Sequence, residues 1–434
     1  MRKVLILAAI ALAALVACQR EPALSPEPPT VYDSTWYTPD EFARAANLQR
    51  AVMGSIQVPE IAALGLETYV QGQNSLLEQT MKEESGFEKP QWGYRKHLLR
   101  YRSVDGAGNP IYLSECIIYP EGKNWEHRVP RIILFSPFTN TMEISSPGKS
   151  EEYFLAALAS CDALFVCPDG QGFGQSQDRE LLFLSPTLQA RQSADGLWAA
   201  LEFIQGQNIG LKKNHELLNL GYSLGGSVAL AFHREYECNL TSQTQKRMGA
   251  LRTICAGGPY DPVRTLNWLR EEPKLSYPLS FPLAVYGIRE SHPELLGKFA
   301  PEQFFSTAFL ESGILDMIRS KNYSTFFING AIASRVGSSY RVLASSELKN
   351  GSSAICKATE AAFAKEDILS GWKANRPITL LHGKGDSYVP YFNALNAQES
   401  LGSNVTLMVT PSIPGIEDHF TEFAFFLAQV LTNL

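Results

Sequence analysis

The sequence has no stretch of roughly 18 uninterrupted apolar residues, so it carries no standard membrane-spanning helix. It has no excess of positive charge. Lys and Arg number 38 against 44 Asp and Glu, a formal charge of −6, and nothing electrostatic favours nucleic acid. There is no C-x-x-C pair and no Cys/His spacing of the kind that builds a zinc site. No internal repeat of solenoid or propeller period occurs. Gly (32) and Pro (25) are near average use, which excludes collagen-like and low-complexity chains. What is there is a 434-residue chain, 45% hydrophobic and 19% charged, a globular composition with room for two to three domains.

The first residues read as an address. Arg2 and Lys3 precede the unbroken apolar run Val4–Ala17, which is short for a bilayer but suits a secretory leader. The run closes Leu15-Val16-Ala17-Cys18. This resembles the lipobox of bacterial lipoproteins, which implies a signal peptide over 1–17 and lipidation of Cys18. The alternative is an ordinary secretory signal with an incidental cysteine. Gln19 follows the cysteine and Asp does not, which by resemblance implies no inner-membrane retention. The expected location is the cell envelope, with the protein held to a membrane, the outer one by the sorting rule, through lipid alone. Pro22, Pro26, Pro28, Pro29 and Pro39 make 18–45 an expected extended tether. Export permits disulfides among Cys116, Cys161, Cys167, Cys238, Cys255 and Cys356 without choosing a pairing. Cys116, Cys167 and Cys255 lie in apolar strand-like runs, where a buried thiol is the commoner role.

The body alternates short apolar runs with helical patterns. Lys96 to Tyr119 reads as a hairpin turning at Asp105–Asn109. Arg131 to Phe135, Asp162 to Cys167, Glu216 to Tyr222, Ala250 to Ala256, Pro377 to Leu381 and Val405 to Val409 follow as strands. Between them fall helical stretches, one around Glu151 to Ser160 and one begun by Ser185 as N-cap with Pro186 at the first helical position. Mostly apolar strands separated by helices predict an α/β architecture with a largely parallel sheet covered on both faces. Phe420 to Leu431 is an amphipathic closing helix. The interval between the strands near Gly258 and Pro377 is too long for a simple connection. It holds helical patterns at Pro301 to Ser320 and Thr359 to Ser370 and a Pro-punctuated loop at Tyr277 to Leu283. We read 266–372 as an inserted helical cap, with 46–265 and 373–434 as the core.

One strand runs into Gly221-Tyr222-Ser223-Leu224-Gly225-Gly226, a G-x-S-x-G sequence with Ser227 to Phe232 as the helix beyond it. A sharp strand–helix turn leaves no space for side chains at Gly221 and Gly225. It exposes Ser223 Oγ and aims the Leu224 N–H at a developing oxyanion. The competing reading is a Gly-rich turn without chemistry. A serine hydroxyl needs an oriented base. Asp386 follows a strand, ahead of Val389-Pro390, and His419 follows the last strand. The other six histidines precede the nucleophile (His97, His127, His215), or lie on the next helix (His233), in the cap (His292) or in a strand (His382). Glu417 and Asp418 adjoin His419, but adjacency in sequence does not place a carboxylate on Nδ1.

This set resembles the α/β-hydrolase superfamily over about Lys96 to Leu434. It rests on the elbow at Ser223, the H-G-x-x-D-x-x-V-P block at His382 to Pro390, the late His419, and the P-D-x-x-G-x-G-x-S loop at Pro168 to Ser176. With the long helical insertion it is similar, more narrowly, to secretory lipase A-type lipases and esterases. The resemblance implies a Ser223–His419–Asp386 triad, an acyl-enzyme, ester substrates including lipid esters, and neither metal nor cofactor. It also implies an oxyanion hole of two backbone N–H groups. The family's His-Gly is replaced by Phe135-Ser136-Pro137-Phe138-Thr139. Pro137 has no N–H, so the second donor passes to Phe138, or to Thr139. Phe281, Phe304, Phe309 and Phe326 suit the cap to an apolar group, or form its own core. Two other readings stand: a peptidase or carbohydrate esterase on the same triad, with Glu290, Glu294, Glu302 and Glu311 available to hold an amine, and an inactive binding lipoprotein.

Overall fold

The computed structural model describes residues 28–38, 92–123, 125–149, 162–412, 417–431 and 433. The signal peptide 1–17, Cys18, most of the tether, the Glu151 to Ser160 helix and Cys161 lie outside the described residues.

The strands are β1 (Thr30–Tyr37), β2 (Gly93–Val104), β3 (Pro110–Glu121), β4 (Arg128–Ser136), β5 (Ala163–Pro168), β6 (Gly210–Tyr222), β7 (Ala250–Ala256), β8 (Ile378–Gly383) and β9 (Val405–Thr410). They form one sheet in the order β1-β2-β3-β5-β4-β6-β7-β8-β9. β1, β2, β3 and β5 pair antiparallel, and every pairing from β5–β4 to β8–β9 is parallel. One expectation is corrected here. Thr30–Tyr37 falls in the stretch read as a tether, yet it is an edge strand antiparallel to β2. Its sequence, rich in Thr, Val, Tyr and Trp, favours extended pairing despite its exposure.

The longer helices are α1 (Pro186–Gly206), α2 (Leu224–Arg234), α3 (Pro262–Glu271), α4 (Ser280–Ser291), α5 (Thr325–Arg335), α6 (Ala354–Lys365), α7 (Phe392–Leu401) and α8 (Asp418–Leu431). Successive residues of a strand point to opposite faces, and here both faces are covered. In β4, Ile132 and Leu134 pack with Leu197 and Leu201 of α1 and Leu230 of α2. Ile133 and Phe135 pack on the other face with Phe426 and Val430 of α8. Burying each such side chain contributes about 1.5–3 kcal/mol.

Between β7 and β8 a separate apolar cluster forms, including Phe281, Phe304, Phe305, Phe309 and Phe363. The local pattern differs from expectation at four places. Tyr277 to Leu283 is not all loop, because Ser280 opens α4; Pro282 sits in its first turn, where a missing N–H costs nothing. Pro301 to Ser320 is broken into short pieces, with Gly313 at φ 75° before the last of them. α6 begins at Ala354 and ends at Lys365, earlier than the predicted helix. Ser185 does not cap α1 with its side chain. The Thr187 N–H is taken instead by Glu366 Oε2 at 2.9 Å, which ties the start of α1 to the end of α6.

Candidate active site

β6 carries the chain into the sheet, and α2 leaves on the far side of Ser223. The turn between them is tight enough that Ser223 takes φ 58°, ψ −126°, a conformation of about 1–3 kcal/mol strain for a residue with a Cβ. Backbone bonds hold it there. The Ser223 N–H donates to Ala256 O and the Gly226 N–H donates to Ser223 O, both at 2.8 Å. The glycines are needed for space. A Cβ on Gly221 would stand 2.0 Å from Gly225 O, and one on Gly225 would stand 2.0 Å from Ser136 O and 2.7 Å from Pro137 O. The Ser136–Pro137 backbone therefore lies directly on the elbow.

The three distant residues singled out in the sequence meet here. Ser223 Oγ lies 2.9 Å from His419 Nε2, and His419 Nδ1 lies 2.8 Å from Asp386 Oδ2. Asp386 sits on the turn after β8 and is itself fixed: its Oδ1 accepts the N–H groups of Tyr388 and Val389, each at 2.8 Å. Burial alone would raise its pKa. The imidazole of His419, hydrogen-bonded to it, and the nearby His382 outweigh burial and hold the carboxyl well below the usual range. With the carboxylate charged, the Nδ1 side of the imidazole carries the proton and Nε2 presents a lone pair to Ser223.

His419 differs from expectation in one respect. It lies in the first turn of α8 and not on the preceding loop. The helix starts at Asp418, whose Oδ2 accepts the Gly385 N–H at 2.8 Å and the Ser412 hydroxyl at 2.7 Å, so loop contacts fix where α8 begins. The imidazole is held between two rings, Tyr388 (centroids 5.4 Å, 18°) and Tyr222 (5.2 Å, 31°). Tyr222 Oη also donates to the His419 carbonyl at 2.5 Å. Neither tyrosine was singled out in the sequence. Tyr222 was legible as the residue before the nucleophile, but nothing in the pattern placed it on the histidine.

The relay opens on a cavity of about 360 Å³. Its walls include Leu224, Trp268, Leu269, Tyr277, Phe326 and Phe420, and no Asp, Glu, Lys or Arg is among the described residues that line it. α3, α4 and α5 all contribute, so the segment between β7 and β8 covers Ser223. Leu224 and Phe138, the residues expected to supply oxyanion donors, both line this cavity, as does Thr139. The glutamates offered as amine ligands are elsewhere: Glu290 faces Gln171 and Arg179, Glu294 faces Lys365, and Glu302 faces Arg319. Glu311 does not line the cavity either.

One group among the described residues has metal-like spacing, His382, Asp386 and Glu422. Its carboxylates are already engaged, Asp386 Oδ2 with His419 Nδ1 and Glu422 Oε1 with the Gly383 N–H. His382 Nε2 lies 3.4 Å from Asp386 and donates its proton to the Val389 carbonyl at 2.8 Å, so that nitrogen has no lone pair to offer. His382 is fully buried, as its strand position implied. Cys116 and Cys167 stand opposite one another in β3 and β5, Cys255 and Cys356 are buried, and Cys238 is exposed. Among the described residues, no helix is long and apolar enough to cross a membrane.

This sheet order, with a strand–serine–helix elbow at its centre, defines the α/β-hydrolase fold. No protein-family model and no curated protein matches the sequence. Solved structures do. The chain is similar to the rice cell wall degrading esterase LipA from Xanthomonas oryzae in a ligand-bound form, with 18% identity and a TM-score of 0.67 over 93% of this chain and 98% of that one. A candidate hydrolase from Legionella pneumophila matches at 18% identity and a TM-score of 0.65, over 82% of this chain and 93% of that one. Candida antarctica lipase A matches at 13% identity and a TM-score of 0.52, over 75% of this chain and 73% of that one.

Proposed function

We propose that this protein is a serine hydrolase that cleaves carboxylic esters through an acyl-Ser223 intermediate. The observation that carries the reading is the continuous hydrogen-bonded relay Ser223–His419–Asp386 opening into a cavity whose described lining residues include no Asp, Glu, Lys or Arg. His419 Nε2 takes the Ser223 proton as Oγ attacks the ester carbonyl, then returns it to the leaving alcohol. Asp386 keeps the imidazole in the required tautomer and stabilises its charged form. The N–H groups of Leu224 and Phe138 receive the oxyanion. Water, deprotonated by the same histidine, releases the acid. The relay requires no metal or cofactor for these steps.

The absence of carboxylates from the described cavity wall favours an apolar acyl or alcohol group over the free amine of a peptide substrate. The esterase and lipase among the structural neighbours agree with that choice. The helices between β7 and β8 act in this reading as a cap, with 266–372 as its extent. A fluorophosphonate probe tests the nucleophile: wild type is labelled and Ser223→Ala is not. A panel of p-nitrophenyl esters of increasing chain length, run beside amino-acid amides, tests the class. Preference for amides would make the protein a peptidase, and no labelling of Ser223 in the folded protein would end the hydrolase reading. The proposal for the N-terminus is a lipoprotein anchored to the cell envelope at Cys18. Metabolic palmitate labelling, lost in Cys18→Ala, tests it.

A further inference from the structure

Beneath the relay lies a carboxyl group that the hydrolytic steps above leave unused. Glu422 follows His419 by three residues in α8, so the two share a helix face. It is fully buried. Its Oε1 accepts the Gly383 N–H at 2.5 Å, and its Oε2 is buried with no hydrogen-bond partner. A Cβ built on Gly257 would lie 2.3 Å from Glu422 Oε2 and 3.2 Å from His419 Cε1, which puts that oxygen and the imidazole edge around the same small space. One ligand atom from each of Glu422, Asp386 and His382 lies within 4.8 Å of the others.

Two carboxylate charges this close and this dry are costly, and one must yield its charge. Asp386 has the better partners: His419 and two backbone N–H groups, with His382 nearby. Glu422 has one N–H. The groups facing it are Asp386 from the turn after β8, His382 from β8, Asp418 and His419 from its own helix, and Tyr260 beyond β7; none is a lysine or arginine. Burial first, then the Asp386 charge, push its carboxyl well above the usual range.

Resting on the assignment of Ser223, His419 and Asp386 as the reacting relay, we propose that Glu422 is a positioning residue. It stands as a neutral acid with the proton of Oε2 turned toward Asp386, so that His419 faces one carboxylate charge and not two. The neutral O–H draws charge on Asp386 away from the imidazole. Removing it makes Asp386 a stronger hydrogen-bond acceptor toward the imidazole, which moves the acid limb of Ser223 reactivity to higher pH.

The test is the pH dependence of fluorophosphonate labelling of Ser223 in wild type, Glu422→Gln and Glu422→Ala. This readout does not depend on the identity of the substrate. Glutamine imitates the neutral acid, accepting from Gly383 and donating toward Asp386. Its labelling rate is expected within about 3-fold of wild type, with the acid limb unmoved. Alanine is expected to shift that limb upward by about half a pH unit or more. A limb displaced in the glutamine variant, or unmoved in the alanine variant, overturns the proposal; a residue serving packing alone would change thermal stability and leave both limbs in place. Should the alanine variant not fold, infrared spectra at neutral pH decide. Loss of one protonated-carboxyl component in the wild type minus Glu422→Gln difference spectrum supports the assignment, and no difference in that region overturns it, the Glu115 band being common to both proteins. If wild type itself is not labelled, the Ser223 reading fails, and the infrared comparison still judges the protonation of Glu422.

Discussion

Asp386→Asn isolates the orienting role of the carboxylate with almost no change in shape. The asparagine must choose between two orientations. With its oxygen where Oδ1 stands, it keeps the two 2.8 Å bonds from the Tyr388 and Val389 N–H groups, and its NH2 then faces His419 Nδ1. The imidazole answers by moving its proton to Nε2, which then donates to Ser223 and cannot accept from it. The reverse orientation aims the NH2 at two N–H donors, forfeiting two hydrogen bonds of about 1 kcal/mol each and adding donor–donor repulsion. The first orientation therefore dominates, and the histidine sits in the wrong tautomer. In serine hydrolases with such a triad this change lowers kcat by about 10⁴, equivalent to ~5.4 kcal/mol of barrier. The assay is kcat/KM on a p-nitrophenyl ester together with the fluorophosphonate labelling rate, with folding checked by circular dichroism. A folded Asp386→Asn protein that keeps more than about a tenth of wild-type activity would refute the claim that Asp386 sets the tautomer of His419.

Three further outcomes follow from the same geometry. Gly225→Ala places a methyl 2.0 Å from Ser136 O and must displace the segment leading to Phe138; kcat for esters is expected to fall about 10²-fold, as for loss of one oxyanion donor, and unchanged kcat would exclude Phe138 from that role. Tyr222→Phe removes the 2.5 Å bond to the His419 carbonyl; calorimetry should show a loss of about 1 kcal/mol, with less than a tenfold fall in kcat because the ring stacking remains. Glu115 is fully buried with neither carboxyl oxygen partnered, and burial, then Asp169, raise its pKa well above the usual value. The folded state thus binds the Glu115 proton more tightly than the unfolded chain, so stability falls as pH rises from the unfolded value toward the folded one. Between about pH 5 and about pH 8 the melting temperature should drop more in wild type than in Glu115→Gln, and equal drops would show that Glu115 is not protonated in the fold.

The alternation of apolar runs and helices was legible because each parallel strand is buried on both faces, and such strands must be apolar along their length. β4 and β5 are found where those runs lie. The elbow was legible for a similarly local reason: a turn this sharp tolerates no Cβ at Gly221 or Gly225, and that requirement is written in five consecutive residues. The chain order of Ser223, Asp386 and His419 could be read from motifs and strand ends. Element boundaries were less legible. The first turn of α8 is fixed by the contacts of Asp418 with Gly385 and Ser412, groups distant or uninformative in the linear pattern. The pairing of Thr30–Tyr37 with β2 likewise depends on a strand more than fifty residues away.

The sequence by itself determined the fold class and the residue types available for chemistry, because periodicity, glycine at the turn and strand-end position are local properties of the chain. Tertiary structure alone decided which groups share a proton and which share a charge. It brought Tyr222 and Tyr388 against the imidazole, cleared the described cavity wall of carboxylates, and set Glu422 beside Asp386. Those effects depend on distances of a few ångströms and on the exclusion of water. Both arise only when segments remote in sequence are packed together, since electrostatic interactions strengthen as separation and local dielectric fall.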